Sequence, residues 1–85
     1  ITAKTALVAI THASNILGTI QDIATIGKAC REASDRVLVL VDAAQTAGVV
    51  PIDLQALPVD LLAFPGHKGL LGPTGSGGLY VGPRA

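Results

Sequence analysis

The sequence has no Trp and no Met, and its aromatic residues are one Phe and one Tyr. A core without aromatics must be filled by Ala, Val, Leu and Ile, through many individually small contacts. Cys30 is the single cysteine, which excludes an internal disulfide framework and fits a reducing compartment, the cytoplasm. Charge is sparse at 14% of residues, and six Lys and Arg balance six Asp and Glu to a formal net charge of zero. Electrostatic binding to nucleic acid or to an anionic membrane is therefore not indicated. No apolar run approaches the length of a bilayer span, and Ile1 to Thr5 carry no targeting pattern, so no membrane partner is expected. What is abundant is aliphatic side chain: 49% of the residues are hydrophobic. A chain of 85 residues makes one small domain at most, and such a domain buries a modest share of its surface. That mismatch predicts a piece of a larger α/β protein, or a chain that needs a partner surface.

Ala6 to Thr11 (ALVAIT) carries no charge and predicts a strand buried on both faces. His12 to Thr19, with Ser, Asn and Gly, reads as a loop. From Ile20 to Ser34 the apolar residues Ile20, Ile23, Ala24, Ile26, Gly27 and Cys30 recur at near-helical spacing. Acid near its start and base near its end suit the helix dipole, so this is a predicted helix. Arg36 to Val41 (RVLVLV) predicts a strand ended by Asp42, and Ala43 to Gly48 a turn or short helical segment. One or two helical turns over Pro51 to Leu57 lead into a strand over Val59 to Phe64. A last short strand over Gly78 to Val81 follows only a glycine loop and is free to run antiparallel. The alternation predicts an α/β fold, a mostly parallel sheet built from βαβ units, with no internal repeats or linkers.

In open parallel sheets, ligands bind beyond the carboxyl ends of the strands. Polar residues stand at three such ends: His12, Ser14 and Asn15, then Asp42 and Gln45, then His67 and Lys68. Lys68 lies in Phe64-Pro65-Gly66-His67-Lys68-Gly69, where glycine on either side of the His-Lys pair leaves the amine open to a flat ligand. A lysine amine attacks carbonyls once its surroundings lower its pKa, although a solvated loop lysine is the commoner fate. Asp42 reads either as a cap on the Ala43-Ala44 turn or as the acid behind a pyridinium nitrogen. The second reading, taken with Lys68, points to an aldehyde cofactor, pyridoxal phosphate, whose protonated ring drains electrons from a substrate's α-carbon. Gln45 is either a surface residue or a donor to the ring's phenolic oxygen. His67 is either an idle loop residue or a phosphate donor. Asn15 alone reads as turn chemistry, and Cys30, on the apolar helix face, as core.

Other chemistries lack their motifs. There is no G-x-x-x-x-G-K-[ST] phosphate loop and no G-x-S-x-G elbow. Gly75-Ser76-Gly77 is followed by Tyr80 where a dinucleotide fingerprint needs Gly or Ala, and it precedes a strand instead of a helix. Cys30, His12 and His67 lack metal-ligand spacing.

Three segments together resemble the class V aminotransferase family, the pyridoxal-phosphate group that includes cysteine desulfurases and selenocysteine lyases. They are Thr11-His12-Ala13-Ser14-Asn15-Ile16-Leu17-Gly18-Thr19-Ile20, Val41-Asp42-Ala43-Ala44-Gln45-Thr46-Ala47-Gly48, and Phe64-Pro65-Gly66-His67-Lys68 with Gly72-Pro73. The specific signal is D-x-x-Q followed by G-H-K-x-x-x-G-P; the first segment leans toward the desulfurase branch. The resemblance implies that residues 1–85 belong to the large, cofactor-binding domain of a fold-type I enzyme. It implies Lys68 as the catalytic residue, bonded to the cofactor and then moving protons at the α-carbon of a small amino-acid substrate. Asp42 would pair with the pyridinium nitrogen, Gln45 would contact the phenolic oxygen, and His67 would hold the phosphate. Asn15 would lie near the phenolic oxygen and the substrate carboxylate. A homodimer is implied for the full-length protein, with sulfur removal from L-cysteine as the expected reaction. Transamination of a small amino acid, or a non-catalytic α/β unit, are the alternatives.

One position departs from the pattern. Pro65 stands where many members have a Ser or Thr that binds the cofactor phosphate, and it offers neither hydroxyl nor N–H. The family's ring-stacking histidine, N-terminal phosphate turn and small domain with its reactive cysteine have no counterpart in these residues. The isolated chain is therefore expected to be inactive.

Overall fold

Four short aliphatic runs build one sheet in a computed structural model that describes residues 1–85. Strands β1 (Leu7–Thr11), β2 (Leu38–Asp42), β3 (Leu61–Pro65) and β4 (Gly77–Val81) lie side by side in chain order. Helix α1 (Ile23–Ala33) links the first two. β1, β2 and β3 are parallel, and β4 is antiparallel to β3, as its short glycine loop allowed. The α/β class follows the sequence expectation. No helix is long and apolar enough to cross a membrane.

The helix begins three residues later than its apolar spacing predicts. Ile20 pairs with Ala13 in an antiparallel bridge, and the Gln21 N–H donates to the His12 carbonyl, so neither is free to enter a helix. Asp22 then caps the first turn: its carboxylate accepts the Thr25 N–H at 3.0 Å and the Thr25 hydroxyl at 2.7 Å. Those two bonds, the hydroxyl foremost, hold the Asp22 carboxyl below its ordinary value. Ile23, Ile26, Gly27 and Cys30, spaced at three and four residues, form the face turned to the sheet. Gly27 is required there, because a Cβ would stand 2.7 Å from Pro58 Cγ. Pro51 to Leu57 supplies one hydrogen-bonded turn, closed by the Leu57 N–H on the Asp53 carbonyl.

Alternation along the strands divides the sheet into two unlike faces. One carries Val39, Val41 and Leu62, packed with Ile23, Cys30, Val37, Ala43 and Val59 into the buried core. Each fully buried valine there contributes about 1.5–3 kcal/mol relative to exposure, an upper bound. The other face presents Leu7, Ala9, Leu38, Leu40, Leu61, Ala63, Leu79 and Val81, none of them buried. β1 is thus not buried on both faces within these residues, contrary to its uncharged sequence: nothing in residues 1–85 lies over Leu7 and Ala9. Cys30 is buried, as the helical spacing implied.

At the amino end of the sheet, the almost fully buried Asp60 carboxylate ties four segments together. It accepts the Val39 N–H at 2.8 Å, the Arg31 guanidinium at 3.2 Å and the Arg84 guanidinium at 3.4 Å. Arg84 also donates to the carbonyls of Asp35 and Val37. Asp60 therefore fixes β3 against β2, and through the arginines it anchors α1 and the segment after β4.

Candidate functional site

The carboxyl ends of β1, β2 and β3 lie together because the three strands are parallel and in register. Thr11 is paired with Asp42, and Asp42 with Ala63. Each strand end hands the chain to a loop bearing one part of the predicted site. Asn15 lies in the loop closed by the Ser14 N–H on the Thr19 carbonyl, at 3.0 Å, with the Ser14 hydroxyl accepting the N–H groups of Ile16 and Leu17. Gln45 lies in the turn after β2, where the Thr46 and Ala47 N–H groups both donate to the Ala43 carbonyl.

Asp42 takes the capping position that its sequence context offered. One carboxylate oxygen accepts the Ala44 N–H at 2.9 Å and shapes the turn. Its other oxygen has no hydrogen bond within the chain, and the residue is exposed at the strand end. A cap that spends one oxygen leaves the other available to a cationic ring nitrogen.

The lysine loop is closed at its neck, where the Gly72 N–H donates to the Gly66 carbonyl at 2.6 Å and the Gly66 N–H to the Ser76 carbonyl at 2.7 Å. Within it the Leu71 N–H reaches the Lys68 carbonyl, and Leu71 takes a φ of 58°, an unusual conformation for a bulky residue. Gly69 presses this loop onto the β2 turn. A Cβ there would stand 2.6 Å from Val49 Cγ2 and closer still to the Ala47 carbonyl, while Gly48, at φ 81°, meets the Gly69 backbone from the other side. Two glycines facing each other bring the Lys68 loop against the turn that carries Gln45. The side chains of His67 and Lys68 are exposed and have no hydrogen-bond partner in the chain.

Asn15 and Gln45 line one cavity of about 450 Å³, with Ser14, Thr46 and Val50 also in its wall. Asp42, His67 and Lys68 lie outside its lining. The donor set suits the ring end of pyridoxal phosphate: a free carboxylate oxygen, two amides, and an unpaired amine on a glycine-flanked loop. At the phosphate end the fit is thinner. Pro65 has no donor and the Gly66 N–H is already bonded to Ser76, which leaves the His67 imidazole and the unbonded N–H groups of His67 and Lys68. Pro65 itself causes no loss of pairing. Its nitrogen faces the β2 side, where pairing stops at Asp42 opposite Ala63.

Sequence reasoning missed one pair beside the site. His12 Nδ1 and Thr46 Oγ1 share a buried hydrogen bond at 2.9 Å. His12 was noticed as a polar strand-end residue, but nothing in the sequence marks Thr46, which is 1% exposed. No group of three or more His, Cys, Asp or Glu side chains could hold a metal ion.

Comparison with known proteins adds four findings. The family model for class V aminotransferases matches residues 1–85. A cysteine desulfurase, IscS, from Pseudoalteromonas translucida is 57% identical over 83 residues, which cover 95% of this chain and 20% of that protein. Among solved structures, the cysteine desulfurase of Thermococcus onnurineus NA1 in its apo form superposes with a TM-score of 0.82 at 44% identity, over 93% of this chain and 19% of that one. The cystine C–S lyase C-DES, complexed with its reaction product cysteine persulfide, gives a TM-score of 0.89 at 42% identity, over 98% and 22% respectively. The chain thus spans about a fifth of the length of the curated relatives it matches.

Proposed function

Because the chain belongs to the class V aminotransferase family, we propose that residues 1–85 are the cofactor-binding core of the large domain of a cysteine desulfurase. The observation that carries this reading is the joining of the Lys68 loop to the Asp42–Gln45 turn through Gly48 and Gly69. The bare aliphatic sheet face supports the domain assignment, since a largely parallel sheet is ordinarily covered on both sides.

Pyridoxal phosphate, when bound, would supply an electron sink for a carbanion at the amino acid's α-carbon. Lys68 would hold the cofactor covalently and afterwards carry the proton at that carbon; its amine has no partner within the chain and is open to the cofactor. Asp42 would offer its free oxygen to the ring nitrogen while Ala44 fixes the other. Gln45 and Asn15 would direct their amides at the ring oxygen and the substrate carboxylate from the wall of the shared cavity. His67 would be this chain's contribution to phosphate binding. The substrate class is a small amino acid, L-cysteine, with alanine as the product once sulfur is removed. The buried, solitary Cys30 is unsuited to accept that sulfur. A cytoplasmic homodimer is the assembly this reading entails.

The test is chemical. The whole protein carrying this segment is incubated with pyridoxal phosphate, reduced with borohydride and mapped by peptide mass. A pyridoxyl group on Lys68 is expected. Labelling of Lys4 or Lys28 instead, or of no lysine, overturns the assignment. Release of alanine from cysteine, measured against keto-acid formation, separates desulfuration from transamination.

A further inference from the structure

We infer that His12 is a positioning residue that sets the Asp42-to-Thr46 turn, and with it Gln45, through the Thr46 hydroxyl. The inference rests on the reading of Asp42 and Gln45 as cofactor contacts. His12 grips that turn at both ends. Its backbone N–H donates to the Asp42 carbonyl at 2.9 Å, and its imidazole Nδ1 meets Thr46 Oγ1 at 2.9 Å. Gln45 stands between those two attachment points. No other side-chain hydrogen bond joins the loop bearing Asn15 to the turn bearing Gln45.

Burial gives the bond its weight. His12 is 7% exposed and Thr46 1% exposed, so neither partner can exchange the other for bulk water. A hydroxyl both donates and accepts, so it satisfies either imidazole tautomer, and the link holds whichever nitrogen carries the proton. Without it the turn keeps its internal bonds, from Val49 and Val50 N–H to the Thr46 carbonyl. What it loses is the side-chain tie at its Thr46 end, while the Asp42 end stays held by the His12 N–H. Amides that must reach ring atoms across a cavity are sensitive to displacement of the freed end.

Thr46→Val keeps the shape and removes the hydroxyl; Thr46→Ser keeps the hydroxyl. Val39→Ala is the structural control, since it opens the sheet core without touching the turn. Each variant of the whole protein is titrated with pyridoxal phosphate and followed by the visible absorbance of the bound cofactor. Thr46→Val should bind about 3- to 10-fold more weakly, the scale of one buried hydrogen bond. Thr46→Ser should return near the parent value, and Val39→Ala should lower the unfolding midpoint while leaving affinity unchanged. In the Thr46→Val background His12→Gln should add little, because the shared bond is already gone. Parent-like affinity in Thr46→Val, or an equal loss in Val39→Ala, overturns the positioning role. Failure of the parent protein to take the cofactor on Lys68 is a separate result and overturns the underlying reading instead.

Discussion

Replacing Gly69 by alanine tests how the lysine loop is placed. The added Cβ would lie 2.6 Å from Val49 Cγ2 and nearer still to the Ala47 carbonyl. Comfortable carbon contacts begin near 3.5 Å, so the loop or the turn must withdraw by about 1 Å. Overpacking of this kind costs about 1–3 kcal/mol, and the upper part applies because one obstructing group is a backbone carbonyl. Gly75 supplies the comparison: its φ is 86° and a Cβ there meets nothing within 4 Å. Gly75→Ala carries a conformational penalty of about 1 kcal/mol and moves nothing near Lys68. Both variants of the whole protein should therefore show lower unfolding midpoints. Only Gly69→Ala should also lose cofactor affinity, by about tenfold or more if some 1.4 kcal/mol of the strain reaches the site. Thermal melts and a pyridoxal phosphate titration, run side by side, read both quantities. Parent-like affinity in Gly69→Ala would refute the placement of Lys68 by the Gly48–Gly69 contact, and so would an equal loss in Gly75→Ala.

Asp60→Asn should destabilise the fold by about 2–3 kcal/mol. That is below the range for fully buried pairs because Arg31 and Arg84 remain 38% and 32% exposed; chemical denaturation checks it, and a change under about 0.5 kcal/mol would remove Asp60 from the anchoring role. For Asp22 the Thr25 hydroxyl and N–H depress the folded pKa below the ordinary 3.8. The stabilisation is thus complete above the unfolded value and disappears as pH falls through the folded one. Asp22→Ala should lower the melting midpoint at about pH 6, with the deficit closing as the medium is acidified below that range; a deficit independent of pH would contradict the capping account.

Much of the fold was legible from residue pattern. The aliphatic runs of β1, β2 and β3 became parallel strands, and the short glycine loop gave the antiparallel β4. The helix start was misplaced because Ile20 matches the apolar period of α1, yet its backbone is held by Ala13. Periodicity reads side chains; it cannot see the backbone bonds flanking Ile20, from Gln21 to the His12 carbonyl and from Ser14 to the Thr19 carbonyl. Burial of β1 was misjudged for a related reason, since an uncharged strand reports the surroundings it needs, and residues 1–85 supply only one of its two faces.

The chemistry divides in the same way. Sequence alone determined which groups are available: a glycine-flanked amine at Lys68, a strand-end carboxylate at Asp42, and amides at Asn15 and Gln45. Those are properties of residue type and local spacing, and they are complete before the chain folds. Only the tertiary structure decided how the groups are held: the Gly48–Gly69 contact, the cavity shared by Asn15 and Gln45, and the His12–Thr46 bond. Each joins residues at least twenty positions apart, and such contacts exist only once the parallel strands have brought their carboxyl ends together.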